Sequence, residues 1–249
     1  MSLLRCRELT VAFGGLRALD GLSLEIEARS VTALIGPNGS GKTTLFNALS
    51  GFVRPERGTV ALNGTDLLGL APHEVAGCGV ARSFQDLRLV RRATVLENVM
   101  LAMPRQAGEA VWPALWGLAW RRAEAENRAG AMRWLEHVGL ADRARDLAGV
   151  LSYGQQKLLC LAVCLHSGAQ LLLLDEPVAG VNPALAEQLM SHIADLPKLE
   201  RSVLFIEHNL QAVQGTAERV VVLAGGRELA AGSWAEVSAS PAVQEAYLR

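Results

Sequence analysis

The fold of this chain is decided by one stretch, Gly36-Pro37-Asn38-Gly39-Ser40-Gly41-Lys42-Thr43. It matches the pattern G-x-x-x-x-G-K-[ST], in which glycines let backbone amides turn inward around an anion. A compact β-rich run over residues 30–35 leads into this stretch, and a helical pattern follows it from Thr43. A strand, a glycine-rich loop and a helix in this order are typical of a phosphate-binding loop, because the helix N-terminus adds positive potential. The sequence therefore predicts that this loop binds nucleotide phosphates.

The totals fit one large α/β domain with room for an inserted subdomain, since the chain has 249 residues and half of them are hydrophobic. The net charge of −1 provides no field that would attract nucleic acid or acidic lipid, so we expect no nucleic-acid partner. The four cysteines contain no Cys-x-x-Cys pair, which favours free thiols in a reducing compartment. The most apolar segment, residues 110–120, is far shorter than the ~20 residues of a membrane span.

The rest of the pattern divides into a β-rich start, a helical middle and a β-rich end. Residues 1–30 alternate in polarity as short strands do, and residues 58–64 predict a hairpin strand with an Asn-Gly turn. From about residue 95 to residue 164 the spacing is helical. Three β-type runs follow at residues 171–174, 203–206 and 220–223, and residues 235–248 are predicted to form one closing helix. The first two runs are almost entirely apolar, as strands covered on both faces are.

Two acids follow the first of these runs directly. Asp175 and Glu176 come after four leucines, so they are expected at the carboxyl end of a strand, where doubly wound sheets bind their ligands. In a nucleotide hydrolase Asp175 would hold Mg²⁺, through water, and Glu176 would polarise the attacking water as a general base. The alternative is a pair of solvated acids at a strand end.

A five-residue stretch between the loop and the acids names a family. Leu151-Ser152-Tyr153-Gly154-Gln155, in this order relative to the two other motifs, resembles the signature of the ATP-binding-cassette (ABC) ATPases. Over essentially its whole length the chain is similar to the ATP-binding subunit of an ABC transporter. The resemblance implies that Ser152 and Gly154 contact the γ-phosphate bound by a second cassette, so that the chain cannot complete its own active site.

The resemblance also implies a fold and a set of cofactors. The fold class is α/β: a P-loop NTPase core with a mostly parallel sheet, an N-terminal antiparallel β subdomain and an inserted α-helical subdomain. Residues 1–249 would form a single ABC ATPase domain, with residues 86–160 as the helical insertion. The implied cofactors are ATP and Mg²⁺.

Roles follow residue by residue from the family motifs. Gln85 matches the glutamine loop, which senses Mg²⁺ and γ-phosphate and faces the membrane partner. His208 matches the switch histidine that contacts γ-phosphate, and Phe13 falls where the family stacks an aromatic ring on adenine. The implied catalytic residues are Glu176, His208, Gln85 and Lys42. Mg²⁺ would be held by Thr43, Gln85 and Asp175. The nucleotide would be bound by Phe13, Gly36, Pro37, Asn38, Gly39, Ser40, Gly41, Lys42, Thr43, Thr44, Ser152, Gly154 and Gln155.

Further motifs are similar to one subfamily, the longer of the two ATPases in branched-chain amino acid importers. These are Phe13-Gly14-Gly15-Leu16, Val80-Ala81-Arg82-Ser83-Phe84-Gln85, Thr94-Val95-Leu96-Glu97-Asn98-Val99, Ala179-Gly180-Val181-Asn182-Pro183, Glu207-His208-Asn209-Leu210 and Glu245-Ala246-Tyr247-Leu248. Urea and short-chain amide importers have nearly the same ATPase. Two departures stand out: Tyr153 replaces the most common glycine of the signature, and Asn182 replaces an aspartate found in many relatives.

The implied partners are integral-membrane permease subunits, a second ABC ATPase that is a copy or a companion, and indirectly a substrate-binding protein. The chain would then be cytoplasmic and peripheral on the inner face of the cell membrane. Two other classes stay open: a soluble ABC protein acting on ribosomes or DNA, and an ATP-binding module without turnover.

Beyond Gln85, the basic residues Arg88, Arg91 and Arg92 are interpreted either as a permease contact or as a solvated patch. Trp112, Trp116 and Trp120 have helical spacing and are more typical of packing than of a binding surface.

Overall fold

The structure is a computed structural model that describes residues 2–83, 87–104 and 117–248. These residues form two compact units. The sheet unit takes the described residues within 1–85, 170–179 and 186–249, and the helical unit takes those within 86–169 and 180–185.

Ten strands are described, all of them in the sheet unit. They are β1 (Ser2–Phe13), β2 (Leu16–Glu27), β3 (Val31–Ile35), β4 (Arg57–Leu62), β5 (Thr65–Asp66), β6 (Val80–Arg82), β7 (Leu171–Asp175), β8 (Ser202–Ile206), β9 (Arg219–Ala224) and β10 (Arg227–Gly232).

Nine α-helices are described across the two units. They are α1 (Lys42–Leu49), α2 (Pro72–Gly77), α3 (Val95–Met100), α4 (Gly117–His137), α5 (Tyr153–His166), α6 (Pro183–Asp195), α7 (Leu210–Thr216), α8 (Trp234–Ser238) and α9 (Pro241–Leu248). Short 3₁₀ turns lie at Ala141–Arg143, Ala148–Val150 and Leu196–Leu199.

The sheet unit contains two sheets. The first is antiparallel, with strand order β2-β1-β4-β5, and its β1 and β2 alternate buried and exposed residues as a sheet covered on one face requires. The second has the order β10-β9-β3-β8-β7-β6 and is parallel except for its edge strand β10. All residues of β3, β7 and β8 are buried, which explains why their sequences lack polar alternation. The predicted antiparallel subdomain and mostly parallel core are confirmed.

A single apolar cluster joins the two sheets of this unit to helix α1. Phe46 of α1 is fully buried in it, together with leucines of β1, β2 and β7. Burying each such side chain stabilises the fold by about 1.5–3 kcal/mol relative to exposure. This packing holds α1 and the loop before it rigidly against the parallel sheet.

The helical unit is built around contacts between α3, α4 and α5. Helix α3 begins with a capping box, in which the Thr94 hydroxyl accepts from the Glu97 N–H and the Glu97 carboxylate accepts from the Thr94 N–H. Asn127 of α4 connects all three helices, because its amide donates to the Met100 carbonyl at 3.2 Å and its oxygen lies 2.5 Å from Nε2 of His166.

The closing segment differs from the sequence prediction. The structure has two helices, α8 and α9, where one helix over residues 235–248 was predicted. The break precedes Pro241, which has no N–H to continue a helix and disfavours helical backbone at the residue before it. Proline is well suited to the first position of a new helix, and α9 begins there.

Candidate active site

Three adjacent strands bring the predicted catalytic segments together at one edge of the parallel sheet. Strand β8 pairs in parallel with β3 on one side and β7 on the other, so their carboxyl ends share an edge. The glycine-rich loop follows β3, Glu176 follows β7 and His208 follows β8. Residues that are more than a hundred positions apart in the sequence thus meet where the topology of an α/β sheet places ligands.

The glycine-rich loop has the backbone that its pattern predicts. Gly36 and Gly41 have φ values of 149° and 104°, which L side chains rarely adopt. A Cβ on Gly36 would lie 2.1 Å from the Leu223 carbonyl oxygen, and one on Gly41 would lie 2.4 Å from that of Ala18. These glycines are therefore required both by conformation and by space.

Lys42, the first residue of α1, folds its side chain back over this loop. Its ammonium donates to the carbonyls of Gly36 and Pro37 at 2.8 and 3.0 Å. Burial lowers the pKa of Lys42, while the negative charges of Glu176 and Asp175 oppose that shift. The cation is thus held at the loop, within electrostatic reach of both acids.

Other residues expected to bind nucleotide lie in or beside the same loop. The Ser40 hydroxyl is buried and has no hydrogen-bond partner within the described part of the chain, whereas Thr43 is exposed at the start of α1. Phe13 ends β1 with 52% of its surface exposed, which leaves its ring available for stacking. Gln85 lies outside the described residues.

Asp175 is paired with a buried arginine that the sequence analysis did not assign to the site. The Arg82 guanidinium, at the end of β6, lies 3.5 Å from the Asp175 carboxylate, and the two side chains are only 7% and 8% exposed. The guanidinium also donates to Asn47 Oδ1 and Ser50 Oγ of the α1 segment and lies over the ring of Phe46. The acid is therefore tied to the helix that carries Lys42. The only sequence signal for this residue is its position in the motif that ends at Gln85.

We expect Arg82→Met to lower the free energy of unfolding by about 3 kcal/mol, because removing one partner of a buried ion pair leaves the other charge in a poorly solvated site. Urea denaturation measures this change. Arg29→Met is the matched control, since its ion pair with Glu200 is shorter, at 2.7 Å, but the side chains are 63% and 72% exposed. That control should cost less than about 1 kcal/mol. Equal losses in the two variants would contradict the expectation.

Glu176 forms a contact with His208 across the ends of β7 and β8. The histidine Nε2 lies 3.1 Å from the glutamate Oε1. The backbone of Glu176 has a φ of 47°, in the left-handed region, and its N–H donates to the Ile206 carbonyl at 3.0 Å. The predicted general base and the predicted switch histidine are therefore direct neighbours.

A second buried acid, Glu207, lies behind this pair. One oxygen of its carboxylate accepts from the Val178 N–H at 2.9 Å, and the other accepts from the N–H groups of His208 and Asn209 at 3.2 and 3.5 Å. Burial raises the pKa of Glu207, the three N–H groups oppose this shift, and the charge of Glu176 adds to it. In the sequence Glu207 appears only as the neighbour of His208, and no sequence signal predicts these contacts.

The signature stretch lies in the helical unit, at the start of α5. Ser152 and Gln155 form a capping box: the serine hydroxyl accepts from the Gln155 N–H at 3.3 Å, and the glutamine oxygen accepts from the Ser152 N–H at 3.0 Å. Gly154 packs so closely on α6 that a Cβ would lie 2.1 Å from Cδ2 of Leu185. Each of these residues thus has a local structural role in addition to any contact with nucleotide.

The two departures from the common family pattern each have a local setting. The ring of Tyr153 is 45% exposed and lies against Gly180, where a Cβ would come within 3.1 Å of it. Lys157 lies over the same ring at 5.7 Å. Asn182 accepts from the Leu185 N–H at 3.0 Å, as a residue preceding a helix does, and this is a role asparagine fills as well as aspartate.

The remaining candidates are exposed or lie outside the described residues. Arg88, Arg91 and Arg92 are exposed in the helical unit, and Trp120 is partly exposed near the start of α4. Trp112 and Trp116 lie outside the described residues.

All four cysteines are free, and burial raises the pKa of Cys6, Cys160 and Cys164 to about 12.

The donors at the sheet edge fit Mg²⁺ held jointly with phosphates. Thr43 offers a hydroxyl and Asp175 a carboxylate, the oxygen ligands that Mg²⁺ prefers when substrate phosphates and water complete its shell. Among residues 2–83, 87–104 and 117–248, no group of three or more His, Cys, Asp or Glu side chains forms a metal cage of its own.

The glycine-rich loop, its lysine, the two acids and the histidine on one sheet edge define a P-loop nucleotide hydrolase. A family model described as ABC transporter matches residues 19–179. The high-affinity branched-chain amino acid transport ATP-binding protein BraF of Pseudomonas aeruginosa is 40% identical over 96% of this chain and 95% of its own length. Its counterpart LivG of Salmonella typhimurium is 41% identical over 99% of this chain and 97% of its own length.

Solved structures agree with these relatives. A nucleotide-free ATP-binding cassette from an ABC transporter superposes with a TM-score of 0.86, at 33% identity, over 99% of each chain. Another such cassette, in its ADP conformation, gives a TM-score of 0.85 over 100% of this chain and 99% of its own. The chain therefore belongs to the ABC transporter family, in which it is an ATP-binding, ATP-hydrolysing subunit. The family and the fold class predicted from the motifs are both confirmed. No helix in the described part of the chain is long and apolar enough to span a membrane.

Proposed function

We propose that this subunit powers the import of branched-chain amino acids through membrane permease subunits. Relatives that are 38–41% identical over nearly the whole chain are named for that transport, which favours this substrate class over urea or short-chain amides. The permease and a substrate-binding protein would select the substrate, and this chain would supply the energy. It would work on the inner face of the cell membrane, with a second ATPase that is a copy of itself or a companion.

The observation that carries the catalytic part of the proposal is the contact between Glu176 and His208 beside the phosphate-binding loop. Glu176 would accept a proton from the attacking water, and His208 would orient Glu176 and contact the γ-phosphate. Lys42 and the loop amides would hold the β- and γ-phosphates, with the exposed ring of Phe13 on the adenine. Mg²⁺, held by Thr43, Asp175 and Gln85, would neutralise phosphate charge during transfer.

The second half of each site would come from the partner ATPase. The N-terminus of α5, with Ser152, Gly154 and Gln155, would contact the γ-phosphate bound by the other cassette. ATP would then hold two cassettes together, and hydrolysis would release them. This alternation of closure and release is what would move the permease.

Reconstitution tests the substrate class directly. The chain is purified together with the permease subunits that it retains from native membranes and placed in liposomes with a substrate-binding protein and internal ATP. We expect accumulation of radiolabelled leucine that depends on ATP and is lost with Glu176→Gln. ATP-driven accumulation of urea or acetamide without leucine would overturn the substrate class. Failure of the chain to purify with any permease from intact membranes would overturn the transport role.

A further inference from the structure

The backbone at Glu176 is strained and needs external support. A non-glycine residue in the left-handed region is sterically strained and persists only where its surroundings fix it. Three hydrogen bonds provide that support: Glu176 N–H to the Ile206 carbonyl, Ala179 N–H to the Glu176 carbonyl, and Val178 N–H to the Glu207 carboxylate. Two are backbone contacts. Only the third depends on a side chain.

That side chain joins the two segments that carry the catalytic pair. Glu207 is 4% exposed, and its two oxygens point in different directions: one holds the turn after Glu176, and the other holds the start of the segment that carries His208. A buried carboxylate that accepts only N–H bonds is stabilised in its charged form by them. The Glu207 carboxylate thereby fixes the distance between the two segments through their backbones. The Glu176–His208 contact joins the same two segments through their side chains.

We propose that Glu207 is a positioning residue for ATP hydrolysis, which sets the strained turn of Glu176 and the orientation of His208 relative to each other. The proposal rests on the roles proposed above for these two residues. Glu207 itself touches neither nucleotide nor water in this role. It acts through the backbone of Val178 and His208, so it affects the catalytic step and leaves the phosphate-binding loop intact.

The test replaces the Glu207 carboxylate with side chains that can accept hydrogen bonds from only one of the two segments, or from neither. An amide has one accepting oxygen and a donating nitrogen, so Glu207→Gln keeps at most one of the two attachments, and Glu207→Ala keeps none. We expect kcat for ATP hydrolysis to fall about ten- to hundredfold, because small misplacements of catalytic groups have effects of this size. The KM for ATP should change less than about threefold, because the substitution leaves the groups that bind ATP in the ground state in place.

Amide hydrogen exchange separates positioning from general destabilisation. The amides of Val178 and His208 should be protected in the wild-type chain, and at least one should lose protection in Glu207→Gln. Those of β7 and β8 should stay protected in both. Glu218→Gln is the matched control: it makes the same charge change at an exposed site and should alter neither exchange nor turnover.

The outcomes distinguish failure of the positioning role from failure of the proposed catalytic function. Wild-type kcat in both Glu207 variants, with an inactive Glu176→Gln, would overturn the positioning role and leave the proposed catalytic function standing. Wild-type hydrolysis by Glu176→Gln would instead remove the proposed function on which it rests. If the Glu207 variants lose ATP binding and also lose exchange protection across β7 and β8, the effect is a general loss of structure, and the positioning role is overturned. If neither Glu207 variant folds, rapid exchange of the Val178 and His208 amides in the wild-type chain overturns it.

Discussion

Glu176→Gln is expected to lower the rate of ATP hydrolysis by about a hundredfold or more while leaving ATP affinity close to wild type. A positioned general base contributes about 10²–10⁴-fold, and an amide of the same shape cannot accept a proton. Because glutamine has the same size and shape as glutamate, its side-chain oxygen can keep the 3.1 Å contact with Nε2 of His208. Steady-state hydrolysis and equilibrium binding of ATP measure the two quantities separately.

The chain offers a closely matched control for this substitution. Glu200 is also a glutamate with a left-handed backbone, at a φ of 61°, but its side chain is 72% exposed and forms an ion pair with Arg29 at 2.7 Å. Glu200→Gln should hydrolyse ATP at the wild-type rate. Activity close to wild type in Glu176→Gln would refute the general-base role, and equal losses in both variants would attribute the effect to backbone strain.

Ser152→Arg is expected to abolish hydrolysis at the site that this residue is proposed to complete in a second cassette, and to leave ATP binding at the chain's own loop largely intact. Ser152 lies at the N-terminus of α5, and a long cation there would fill the space that a γ-phosphate needs. Lys42 and the loop amides belong to the sheet unit and keep their contacts. Binding of a fluorescent ATP analogue, together with hydrolysis, tests this separation. Loss of binding at the chain's own loop would refute it.

The structure shows that Ser152→Arg also removes a helix cap, which alone costs about 0.5–2 kcal/mol. Ser233→Arg controls for that loss, because Ser233 and Glu236 form the same capping box at the start of α8. Ser152→Ala removes the cap without adding bulk. Both should retain far more hydrolysis than Ser152→Arg. A Ser233→Arg chain as inactive as Ser152→Arg would assign the loss to capping.

The parts of the fold that the sequence predicted are those with a local chemical reason. The glycine-rich loop was predictable because only glycine fits the backbone at Gly36 and Gly41. The buried strands β7 and β8 were predictable because apolar runs followed by polar residues mark strand ends. The prediction of one closing helix was wrong because Pro241, which has no N–H to continue a helix, interrupts the segment and begins a second helix.

What the sequence could not predict are contacts that only the tertiary structure creates. Arg82 and Asp175 are separated by 92 residues, and nothing in either segment specifies that they meet beside α1. Glu207 was part of a family motif with no role of its own, whereas the parallel pairing of β7 and β8 brings its carboxylate to the Val178 N–H. The catalytic, metal-binding and nucleotide-binding roles assigned to the site residues, Lys42, Glu176 and His208 included, stay predictions.

At Glu176 the residue that best suits the left-handed backbone is not the residue that the proposed chemistry needs. Glycine would adopt this conformation without steric cost, and asparagine would tolerate it better than glutamate. Neither has a carboxylate to accept a proton from water. If Glu176 is the general base, as proposed, a search for more stable variants would select residues at position 176 that end catalysis. The glutamate there would then be maintained by its chemistry and against the preference of the fold.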